Sequence, residues 1–150
     1  MTPVTDHPPA GLLRRLAAFA YDSLIVMALF VVPTSGVMAI RGGEPIPPGS
    51  MLFQLLLIAT AAVFFVGFWV RGGQTLGMRA WRLRLEGRGG EPITARIGLI
   101  RFLGGAVSIG ALGLGVLWVV IDPQQLTWAD RLAGTRVVVL PKSQSPKRNA

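Results

Sequence analysis

From Met51 to Val70 the chain carries no charged side chain, and only Gln54 and Thr60 are polar. At about 1.5 Å of rise per residue a helix of that length covers about 30 Å, the thickness of a bilayer's hydrocarbon layer. A helix that is apolar all round must be buried in a large core or in lipid. A chain of 150 residues, 51% hydrophobic and only 15% charged, offers no such core, so lipid is the solvent that remains.

Two more apolar runs flank this segment. The first, Leu12 to Ile40, carries Arg14 and Arg15 at its start, Asp22 further in and Pro33 towards its end, and a helix over 12–32 is already long enough to cross. A cleavable secretory signal competes for the same stretch, because Arg14 and Arg15 resemble a basic leader and Val37-Met38-Ala39 a small-residue cleavage site. Asp22 argues against it, since the apolar part of a signal tolerates acid poorly. The third run, Ile97 to Ile121, is longer than the second and holds one charge (Arg101) and six glycines. Small residues recur in it four apart, as Gly104 and Ser108, Ala106 and Gly110, Ala111 and Gly115, a spacing that lets helices approach closely.

The segment RGGQTLGMRAWRLRLEGRGGEPITAR between the second and third runs predicts a glycine turn, a short helix near Thr75 to Trp81, and a strand over 82–86 where apolar and charged residues alternate. A β-branched stretch over 136–140, ending at Pro141, predicts a second strand. Residues 1–11, with three prolines, and the basic residues 141–150 read as disordered tails around a membrane domain over 12–140. The expected fold is therefore an all-α membrane protein. It has two transmembrane helices, a third glycine-rich apolar segment that either crosses or returns as a re-entrant hairpin, and a small two-stranded cytoplasmic β element.

The net charge of +8 sits in the gaps between apolar runs, the pattern of a membrane protein, and argues against a nucleic-acid partner. If the N-terminus is cytoplasmic and all three runs cross, nine of the fifteen Lys and Arg residues stay inside. If the third run returns, fourteen stay inside and only Arg41 lies out. The second arrangement also puts the two strands on one face, where they can pair, although the third run is long enough to cross. Both topologies stay open.

With no cysteine and one histidine, His7 in a proline-flanked tail, thiolate chemistry, Cys-based metal sites and a histidine base are excluded. Gly72-Gly73 and the glycines over 87–90 lack the setting of a phosphate loop. Neither an enzyme nor a cofactor is expected. Asp22 is the most informative residue, because a carboxylate inside a spanning helix costs about 2.5 to 3.5 kcal/mol unless it finds protein or water. Arg15 lies two turns before it but leans away toward the helix start, so Arg101 is the partner expected for Asp22. Asp130 and Arg131, beside Trp128, suit a turn at the membrane interface.

Three stretches in order, RRLAAFAYD at 14–22, GGQTLGMRAWRLRL at 72–85 and ADRLAGTRVVV at 129–139, resemble the RDD family of bacterial membrane proteins over about residues 10–140. The resemblance implies a bacterial inner-membrane location and places the family's arginine on Arg15, with Arg14 as the alternative, and its two aspartates on Asp22 and Asp130. Met78 stands where the family often has lysine, so no role of that lysine carries over. Transport of unidentified ligands is suggested for the family. Two functions follow as expectations. One is a transport or ion-exchange component with Asp22 as the coupling carboxylate and Arg15, Arg101 and Asp130 around it, binding a small ligand or ion and assembling as a homo-oligomer. The other is an accessory subunit in which the same four residues only hold the helices together.

Overall fold

The computed structural model describes residues 7–142. Its helices are α1 (Leu12–Leu29), α2 (Val31–Ile40), α3 (Met51–Gly72), α4 (Leu76–Ala80), α5 (Ala95–Gly110), α6 (Leu114–Leu117) and α7 (Trp128–Ala133), and its strands are β1 (Leu83–Gly87) and β2 (Thr135–Val139). The first apolar run forms α1 and α2, which together are one 29-residue apolar helix with a local break at Phe30. Pro33 has no N–H to offer the carbonyl of Leu29, which weakens the ladder at that break. The second run forms α3, ending in left-handed Gly73.

Both long helices are long and apolar enough to cross a bilayer, and only 6% of the most apolar stretch of each is buried within the protein. Leu24, Met27, Val31, Leu52, Leu55 and Val63 all point outward. In water such a surface would be untenable; in lipid it is the solvated state.

The third run does not form one straight helix. Leu112 and Gly113 take positive φ of 56° and 79°, and the chain bends by 108° between α5 and the segment Leu114–Val120, which ends in a 3-10 turn over Trp118–Val120. The two arms are unequal, α5 being much the longer. The reversal falls at Gly113, which takes a left-handed backbone freely, and at Leu112 beside it, which does so only rarely.

Beyond the bend, α7 runs back along α5. Ser108 and Gly115 face each other at the bend, and a Cβ on Gly104 would sit 3.1 Å from the Ala129 Cα. The small residues at 104, 108 and 115 are thus spent on packing within the chain, while Gly105 and Gly110 face open space.

The strands pair antiparallel, Leu83 opposite Val139 and Gly87 opposite Thr135, so both sides of the third run come to one end of the molecule. Leu83 and Leu85 point into a small core with Ala18, Trp69, Met78 and Val137, while Arg82 and Arg84 point out. The expected alternation in β1 is observed, one residue later in extent. The N-terminal segment departs from expectation. Residues 1–6 lie outside the described residues, but Pro9 bridges to Val138, the N–H of Ala10 donates to the carbonyl of Val137 at 2.9 Å, and Ala10 is fully buried. Prolines fit there because an edge segment need not donate every N–H. The part of the basic tail at 143–150 lies outside the described residues.

Candidate functional site

Arg15 leaves the first turns of α1 at the sheet end, Arg101 sits in the second turn of α5, and both aim at Asp130 on α7. The local fold of α7 explains why Asp130 can be there. Thr127 caps the helix, its hydroxyl accepting from the Asp130 N–H at 3.1 Å, while the Asp130 carboxylate accepts the Thr127 N–H at 3.0 Å. This reciprocal cap satisfies two otherwise orphaned donors and fixes the carboxylate pointing inward.

Arg15 Nη1 donates to Asp130 Oδ2 at 2.6 Å, and Arg101 Nη1 donates to Asp130 Oδ1 and to the Thr135 hydroxyl at 2.9 Å. Arg15 also donates from Nε to the Ala10 carbonyl at 2.8 Å and from Nη2 to the Gln125 carbonyl at 2.9 Å. One aspartate thus ties α1, α5, α7, β2 and the N-terminal segment together. Its side chain is fully buried, with those of Arg15 and Arg101 8% and 11% exposed. The Arg101 guanidinium also lies over the Trp69 ring, 5.2 Å from its centre, joining α3 to the cluster. Burial pushes the Asp130 carboxyl up, but Arg101, then Arg15 and the Thr127 N–H, outweigh it and hold the group well below the ordinary carboxylate range.

Asp22 occupies a separate place. It is 2% exposed and accepts the Thr75 hydroxyl at 2.5 Å and the Gly77 N–H at 2.8 Å. Thr75 is the N-cap of α4, its hydroxyl accepting from Met78 N at 3.2 Å, so Asp22 braces the start of α4 against α1. A Cβ at Gly77 would collide with the Ala18 carbonyl oxygen and lie 2.9 Å from the Asp22 carboxyl carbon, so only glycine allows this approach.

The expected Asp22–Arg101 pair is therefore corrected. Asp22 meets neutral donors, and Arg101 goes to Asp130, because the bend in the third run folds α7 back onto α5. Arg15 avoids Asp22, as its lean along the helix requires. Asp130 lies within α7 and is the most enclosed charge of the site, while its neighbour Arg131 is 53% exposed and pairs with Asp122.

Sequence reasoning missed Asp122, Thr75, Gly77, Thr127 and Thr135. Asp122 ends the apolar run, accepts the Leu126 N–H at 2.8 Å and closes the turn that presents the Gln125 carbonyl to Arg15. The Leu126 N–H, and then Arg131, hold its carboxyl below the ordinary range against the effect of burial. The Thr127-x-x-Asp130 spacing is a capping signal and could have been found. Asp122 before Pro123 is a turn signal of the same kind.

Long apolar outward-facing helices beside a buried arginine–aspartate–arginine lock, with a two-stranded sheet at one end, define a membrane protein whose buried charges are paired internally. The chain belongs to the RDD family, whose family model matches residues 9–134. No curated protein and no solved structure matches it.

Proposed function

We propose that this RDD protein is an accessory subunit of the bacterial inner membrane, crossing it with α1–α2 and α3, with the third run returning and both termini in the cytoplasm. The observation that carries this reading is the saturation of Asp130. Its oxygens accept from Arg15, Arg101 and Thr127, which leaves it suited to holding elements together rather than to binding and releasing a ligand.

The position of Asp22 supports the same view. From Asp22 to Ile40 the helix rises about 27 Å, and from Leu12 to Asp22 about 15 Å. A hydrocarbon layer of about 30 Å ending near Ile40 then has its other boundary beside Asp22, not at the midplane. The first turns of α1 and the sheet lie in the headgroup and aqueous layers. The rigid end formed there acts as a platform for other membrane components, with copies of the chain packing through the exposed apolar faces. Nucleic acid has no part in this function.

A second reading keeps a specific observation. Among the described residues Asp22 has neutral partners, Thr75 and Gly77, and can hold or lose a proton without orphaning a cation, as an ion- or proton-exchange carboxylate requires. Asp22→Asn separates the two. Asparagine keeps one acceptor for Gly77 and gives Thr75 a donor, so an accessory subunit retains most of its membrane level and loses no flux. An exchange protein reconstituted in liposomes loses pH-dependent flux while staying folded. Flux in the parent protein that vanishes in Asp22→Asn would overturn the accessory reading.

A further inference from the structure

A concave site opens between the N-terminal segment, β2, the β1–α5 turn and the turn after Asp122. Its volume is about 270 Å³, and His7, Arg15, Arg88, Gln124, Gln125 and Arg136 line it. Among the described residues, none of the side chains lining it is acidic. Nearby, Arg15 and Arg101 share Asp130, and Arg136 meets Glu86 at 3.3 Å. Three guanidiniums, those of Arg15, Arg88 and Arg136, line the cavity. Arg88 donates to the neutral Gln124 amide at 3.1 Å, so its charge meets a dipole rather than an anion.

The rim is held in shape. Gln125 has a left-handed backbone, φ 52°, and its carbonyl is fixed by Arg15 while Asp122 secures Leu126 behind it. Arg15 uses one N–H from each of its three nitrogens on protein acceptors, which leaves one further N–H on each terminal nitrogen. A forked cation of this kind, beside a second and a third, matches the geometry of a phosphate group better than that of a point anion. Because Arg15 stands at the start of the first apolar helix, the site lies at the level of lipid headgroups.

We infer that this cavity binds a phosphate group, with Arg88 and Arg136 from the sheet end and Arg15 from α1 as its donors. A lipid headgroup and a free phosphate share that chemistry. The inference uses the membrane placement proposed above for the lipid source alone, and it does not depend on whether Asp22 titrates.

The full chain, in nanodiscs of phosphatidylcholine, is titrated with inorganic phosphate and, in a second arm, with increasing phosphatidic acid in the disc. Binding is read from the ³¹P resonance of each probe. Saturable binding is expected, about tenfold weaker in Arg88→Gln and in Gln124→Glu, the loss expected for one charge-assisted contact. Both positions are exposed, so the fold is retained, as thermal unfolding of each variant checks. Arg96→Gln, an exposed cation away from the cavity, should bind like the parent. Saturation by phosphatidic acid with competition from inorganic phosphate identifies a site that takes both sources. Saturation by phosphatidic acid alone identifies the lipid headgroup, and by inorganic phosphate alone the free ion. If neither probe saturates, or if Arg96→Gln weakens binding as much as Arg88→Gln, only diffuse surface charge is at work and the inference fails.

Discussion

Asp130 accepts from two guanidiniums, and that sharing has a measurable consequence. In Asp130→Asn, Arg15 and Arg101 face each other, largely desolvated, without a counter-charge, at a cost of about 3 to 5 kcal/mol for a buried ion pair broken from one side. In Arg101→Gln the carboxylate keeps Arg15, so the loss is expected to be about half as large. Thermal unfolding of both variants in micelles checks the order, and equal losses would show that Arg15 does not share the charge. The same residue sets a pH dependence. Because the folded Asp130 carboxyl lies below its unfolded value of about 3.9, its stabilisation is complete above that value and is lost as pH falls through the folded one. Asp122 is depressed in the same direction and acts in the same window. The unfolding midpoint should therefore hold steady from neutral pH to about pH 5 and fall below it, and Asp130→Asn should flatten part of that fall.

Among the elements, α4 depends most on a single residue. Gly77→Ala would drive a methyl group into the Ala18 carbonyl and the Asp22 carboxyl, so α4 must leave α1 or Asp22 must lose its donors. A loss of about 2 to 4 kcal/mol is expected, comparable to overpacking plus one unmet buried acceptor, while Gly105→Ala, where a methyl group meets nothing, should be silent. Membrane levels and unfolding midpoints of the two variants test this directly. The elements themselves were largely legible, for physical reasons that differ. A charge-free run such as Met51 to Val70 has few alternatives, and the alternation over Trp81 to Glu86 belongs to one period only. Asp22 and Arg101 stood out because charge is rare in apolar surroundings, and Arg15 and Asp130 through the resemblance to the family. Their pairing was not legible, since it depends on where the third run bends. That bend is set by the backbone of Leu112 and Gly113, and a leucine at positive φ carries no sequence signal. The ordered Pro8 to Ala10 segment escaped for a similar reason, because its composition is that of a tail and only the edge of β2 gives it a place.

At the scale of the whole molecule, the paired strands constrain topology more than the length of any apolar run. β1 precedes the third run and β2 follows it, yet Leu83 lies opposite Val139 and Gly87 opposite Thr135, so five residue pairs would be split across the bilayer if that run crossed. The Arg15–Asp130–Arg101 lock would be split with them, since Arg15 precedes the first span and Asp130 follows the third run. Charge points the same way, with fourteen of fifteen basic residues on one side if the run returns and nine if it crosses. Reporters fused after residue 150 and within the loop over 41–50 give the decisive comparison. A reporter active only in the cytoplasm should work at the C-terminus and fail in the loop, and one active only in the periplasm should do the reverse. Periplasmic activity at the C-terminus would mean that the third run crosses, and then neither the two-stranded sheet nor the shared aspartate could form within one chain. Fusions carrying Asp130→Asn sharpen the test. If the lock holds the returning segment in place, the C-terminal reporter should lose abundance without changing sides, whereas a change of sides would make Asp130 a determinant of insertion itself.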